Sequence, residues 1–69
     1  MVKEAVYREY KFCVSAEYNH NVNVWNGYFK VFDRDNLIIN EGFVTPYGQE
    51  SEAHEAAEAG ARSWIDRHA

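Results

Sequence analysis

The feature that most limits what this chain can fold into is its last stretch, from Ser51 to His68. Ala53, Ala56, Ala57, Gly60, Ala61, Trp64 and Ile65 recur there at i, i+3, i+4, i+7, i+8, i+11 and i+12, the period of one helical face. No other stretch has that period. Everything before it reads as strand and turn, so this helix is the only lid available to cover a sheet. In a chain of 69 residues, that means one domain with one layer of strands and one helix.

Residues 6–18 alternate. Val6, Tyr10, Phe12, Val14, Ala16 and Tyr18 fall on one side, interrupted by Arg8, and Tyr7, Glu9, Lys11, Cys13, Ser15 and Glu17 fall on the other. Period two over this length predicts one long, half-buried strand. Asn19-His20-Asn21 is a turn cluster. The run that follows, Val22 to Phe32, is rich in β-branched and aromatic residues and contains Asn26-Gly27, a strong hairpin signal. Two readings compete. Either the turn lies at 19–23 and one strand runs from about Val24 to Asp33, with Gly27 as a bulge or a point of close approach, or Asn26-Gly27 is itself a tight turn in a four-stranded sheet. The first is favoured, because the second leaves Val22 to Trp25 as a very short strand.

Asp33-Arg34-Asp35-Asn36 reads as a charged hairpin turn. Leu37 to Val44 reads as a third strand, in which Glu41-Gly42 breaks the alternation as a bulge would. Thr45-Pro46-Tyr47-Gly48 breaks the pattern before the helix. Ser51 is the expected N-cap, with Glu50 and Glu52 at the positive end of the helix dipole. The expected fold is α+β: a three-stranded antiparallel β-meander with one C-terminal helix packed on one face, as a single domain over residues 1–69.

Composition narrows function more by exclusion than by assignment. The net charge is −4, and phosphate binding needs a basic footprint, so free nucleic acid is not an expected partner. An acidic protein is drawn to basic surfaces on other proteins. From Glu50 onward, five acids stand against Arg62 and Arg67, which concentrates the negative charge on the helix. Cys13 is the single cysteine, so no internal disulfide can form. With no apolar h-region at the start and no apolar run of roughly 20 residues, a cytoplasmic protein is expected.

Catalytic and metal signatures are missing from the pattern. His20, His54 and His68 do not pair with Cys13 or with each other at ligand spacing. Glu55 and Glu58 lie near each other on the outer helix face, without the enclosure that shifts a carboxylate pKa. No enzyme activity, cofactor or metal is therefore expected. A small enzyme using Cys13 would need a thiol more reactive than a free cysteine.

Two surfaces remain as candidate partner-binding sites. One is the acidic helix face, with Glu52, Glu55, Glu58 and Asp66, whose bland alternative is a solvated face. The other is the sheet face that one helix cannot cover, expected to carry Tyr28, Phe32 and Tyr7. Exposed rings on a sheet often mark an interface. A homodimer through that face or through an edge strand is a further expectation.

Trp25, Gly27-Tyr28-Phe29, Val31, Gly42, Glu52-Ala53, Ala56-Ala57, Ala61 and Trp64-Ile65-Asp66 together resemble small uncharacterised proteobacterial β-β-β-α domains that end in a Trp-Ile-Asp helix. The resemblance covers roughly the last two-thirds of the chain and implies a fold, with no activity. The element order is also similar to HicB-type antitoxins and double-stranded-RNA-binding domains. The chain lacks the HicB-like Phe-Pro-Asp stretch after the second strand. It also lacks the basic residues at the helix start that an RNA binder needs. In size and acidity alone it resembles phage anti-CRISPR proteins, which implies an inhibitor that occupies a basic nucleic-acid-handling site by imitating phosphates. The alternative is a housekeeping β-β-β-α domain acting as a homodimer or a HicB-like antitoxin-type module.

Overall fold

A computed structural model describes residues 2–68, with backbone only at Thr45. The elements are β1 (Val2–Tyr7), β2 (Tyr10–Asn19), β3 (Val24–Phe32), β4 (Ile38–Tyr47) and α1 (Glu50–His68). The strands form one antiparallel sheet in the order β1-β2-β3-β4, and α1 packs across β2, β3 and β4. The α+β class with a C-terminal helix on one sheet face is as expected. The strand number is four where three were expected.

The extra strand comes from a turn hidden inside the first alternating run. Arg8 and Glu9 both have positive φ, 50° and 72°, as the two central residues of a type I′ hairpin require. Neither is the Asn or Gly that normally announces such a turn. A two-residue loop sets Tyr7 opposite Tyr10, and opposed residues share a face. The alternation therefore changes phase across the turn. Lys3, Ala5 and Tyr7 join Tyr10, Phe12 and Val14 on the helix side, whereas Val2, Glu4 and Val6 point away. This corrects the placement of Tyr7 on the uncovered face and of Val6 in the core. Tyr7 packs against the core cluster, and Val6 is 73% exposed.

The turn at 19–23 is the favoured one. The Asn21 amide donates to Asn19 Oδ1 at 3.0 Å, and Asn23 takes a φ of 54°. Asn26-Gly27 lies within β3 and is no turn, and Gly27 pairs with Ala16 and Val44. A Cβ on Gly27 would stand 2.3 Å from the Ala53 carbonyl oxygen. Gly27 is therefore a point of close approach between the helix and sheet backbones.

Both register irregularities fall in β4. One lies at Ile39, between the pairs Val31–Asn40 and Phe32–Ile38, and the other at Thr45-Pro46, between Gly27–Val44 and Trp25–Tyr47. Glu41 and Gly42 pair in register with Lys30 and Phe29, so the bulge expected there is displaced. The strand also continues through Pro46, which has no N–H and is tolerated on an edge at a bulge. The third hairpin turn is as expected. Asp33 Oδ1 accepts from the amides of Asp35 at 2.9 Å and Leu37 at 3.0 Å.

On α1, the fully buried line is Ala53, Ala57, Ala61 and Ile65. Against it lie Phe12, Val14 and Val31. Trp64 is half-buried at the edge of this core and stacks on His68 at 4.1 Å, while Ile65 and Phe12 are its largest fully buried side chains. The Ala53 amide donates to the Gln49 carbonyl at 3.2 Å. Gln49 thus occupies the capping position, and Ser51 lies inside the first turn.

Candidate interaction surfaces

The cross-strand register sorts the uncovered sheet face into rows. Val6, Lys11, Phe32 and Ile38 stand side by side; next come Glu4, Cys13, Lys30 and Glu41; then Val2, Ser15, Tyr28 and Phe43. The face is thus two largely apolar rows separated by a polar one. Phe43 is 66% exposed and Val2 67%. The rings of Tyr28 and Phe43 lie 6.2 Å apart, and Lys11 Nζ sits 5.0 Å above the Phe32 ring. Between the rows runs an open groove of about 520 Å³, lined among others by Cys13, Tyr28, Lys30, Phe32 and Phe43. The sequence groups Phe43 with Leu37 and Ile39 on one side of the third strand, but the bulge expected beside it gives no reason to join that side to the face of Tyr28 and Phe32. The cross-strand partner of Phe43, Tyr28, is the signal that could have found it.

Tyr28 and Phe32 therefore share one face, and Tyr7 is separated from them by the thickness of the sheet. The Tyr7 hydroxyl donates to Asp66 Oδ1 at 2.8 Å. That bond to a carboxylate, with some burial, raises the phenol pKa above its usual value. Asp66 is also 3.5 Å from Arg8.

The four acidic helix residues divide in the same way. Glu58 receives Lys3 Nζ at 3.2 Å and Arg62 at 3.0 Å. The Lys3 bond is the main cause of its lowered pKa, and burial opposes the shift. Glu58 and Asp66 thus tie the helix to β1 and its turn. Glu52 and Glu55 are exposed and form no ion pair among the described residues. A carboxyl group whose pKa is depressed by folding contributes stability above its unfolded pKa, near 4.5 here, and loses it as pH falls through the lower folded value. Acidification below about pH 4.5 is therefore expected to weaken wild type more than Glu58→Gln, as measured by urea unfolding at pH 6 and pH 3.

The Cys13 thiol is half-buried and 3.5 Å from Glu4 Oε2. Burial first, then the bond to Glu4, raise its pKa. Both effects favour the neutral thiol, opposite to the activation a nucleophile needs.

These features define an α+β domain with one structural face and one open, apolar-and-polar face. In comparisons with protein-family models, curated proteins and solved structures, nothing matches the chain. Among the described residues, no helix is long and apolar enough to cross a membrane.

Proposed function

We propose that this is a non-enzymatic protein-interaction module whose principal binding surface is the open sheet face. The observation that carries the reading is the pair of apolar rows, with Phe43, Val2 and Ile38 widely exposed beside Tyr28 and Phe32. Exposed apolar side chains grouped on one face beside a polar row are characteristic of interfaces. The proposed partner is a larger protein with a basic surface, toward which a net charge of −4 steers encounter. On this reading the chain is an inhibitor of the anti-CRISPR type, and the basic surface is a nucleic-acid-handling site on the partner. Glu52 and Glu55 are the helix carboxylates available for it, because Glu58 and Asp66 are engaged within the fold.

The test is affinity capture from the native cell with wild type and with the double variant Tyr28→Ser/Phe43→Ser. The variant is expected to lose the captured partner while keeping its circular dichroism spectrum. Glu52→Lys/Glu55→Lys is expected to slow association and flatten its salt dependence. Retention of the same partner at the same affinity by the Tyr28/Phe43 variant would refute the reading.

A further inference from the structure

The two edges of the sheet are not equivalent. β4 carries both register irregularities and Pro46, features that prevent another strand from adding to an edge. β1 has neither, and pairs with β2 in unbroken register from Val2 to Tyr7. Its outer side presents an unpaired row of backbone donors and acceptors, and the chemistry that satisfies such a row is another strand. The helix packs mainly over β2, β3 and β4, and toward β1 and its turn it adds the side-chain bonds Lys3–Glu58, Tyr7–Asp66 and Arg8–Asp66, with Ala5 and Tyr7 packed against the core and Arg62 over the Tyr7 ring.

We propose that a second copy of this chain docks on this edge, β1 against β1, antiparallel about a twofold axis at Ala5. A twofold axis normal to the sheet sets residues of the same face opposite each other, so it must pass through a residue. Charge then chooses which one. An axis at Glu4 sets Glu4 against Glu4, and an axis at Lys3 sets Lys3 against Lys3, both unfavourable. An axis at Val6 leaves less of the strand paired. An axis at Ala5 pairs residues 3–7 with no like charges directly opposite each other. Small Ala5 side chains meet at the centre, Glu4 lies opposite Val6, and Lys3 lies opposite Tyr7 of the second copy. The Lys3 ammonium then approaches a ring and the Asp66 carboxylate that holds its hydroxyl. The product is one continuous sheet with both helices on one side. The pairing leaves the open face uncovered and does not depend on that face binding anything.

The register is tested with full-length chains carrying Cys13→Ser and one new cysteine. In a thiol–disulfide buffer, Ala5→Cys is expected to form a disulfide-linked dimer about tenfold faster than Glu4→Cys or Val6→Cys alone, because only that self-pair brings Cβ atoms within reach. Mixing the Glu4→Cys and Val6→Cys chains is expected to restore cross-linking. Wild type is expected to show sedimentation that shifts toward dimer with concentration, and amide exchange in β1 that slows in step. Equal cross-linking at the three positions, or a monomer whose β1 exchange does not change with concentration, would overturn the proposal. Loss of partner capture by the Tyr28/Phe43 variant with dimerisation intact would separate the two surfaces.

Discussion

Gly27→Ala is expected to cost about 3 kcal/mol, at the upper end for forcing an extra carbon into a packed site. In a domain of this size that lowers Tm by roughly 12–24 °C. The added methyl would lie 2.3 Å from the Ala53 carbonyl oxygen and 2.9 Å from a methyl of Val44. Val44 can rotate, but the Ala53 oxygen belongs to the helix backbone, so relief requires α1 to lift from the sheet. Lifting α1 opens the contacts of Ala57, Ala61 and Ile65 with Phe12, Val14 and Val31. The cost is therefore shared by the whole core. Thermal unfolding followed by circular dichroism measures it. A Tm within a few degrees of wild type would mean that the helix does not rest on Gly27.

Phe12→Ala is expected to cost about 3–5 kcal/mol, comparable with the whole stability of a small domain. Phe12 has no exposure and is among the largest fully buried side chains. It sits between Ala5 on β1 and Val31 on β3, under α1. The control is Phe43→Ala, the same substitution on the other face. Phe43 is 66% exposed, so its loss is expected to change stability by no more than about 0.5 kcal/mol. Urea unfolding of the two variants compares them directly. If Phe43→Ala proved as damaging as Phe12→Ala, the open face would already be structural, and its availability to a partner would fail with it.

Phe12 and Phe43 also mark what each level of description can reach. Phe12 was placed on the buried side from alternation alone, because β2 keeps strict period two from Tyr10 to Asn19. Phe43 groups with Leu37 and Ile39 by alternation, but the irregularity at Ile39 moves later side chains from one face to the other, so alternation alone does not say which face Phe43 occupies. Tyr7 failed for a related reason. A two-residue turn made of Arg8 and Glu9 has no composition signal, and its presence reverses which residues of β1 face the helix.

By itself, the sequence determined the helix, its Ala-rich buried line, the turns at 19–23 and 33–36, and the antiparallel order of the strands that they join. Each of these rests on local periodicity or on residues with a backbone preference of their own. Only the tertiary structure decided the fourth strand, the face occupied by Tyr7, and the use of Glu58 and Asp66 within the fold. Those outcomes depend on pairs distant in the chain, Lys3 with Glu58 and Tyr7 with Asp66, and on an ordinary Arg-Glu pair held at positive φ by the strands on either side of it. The helix is legible because its period belongs to it alone, whereas the open face exists only once four strands have aligned.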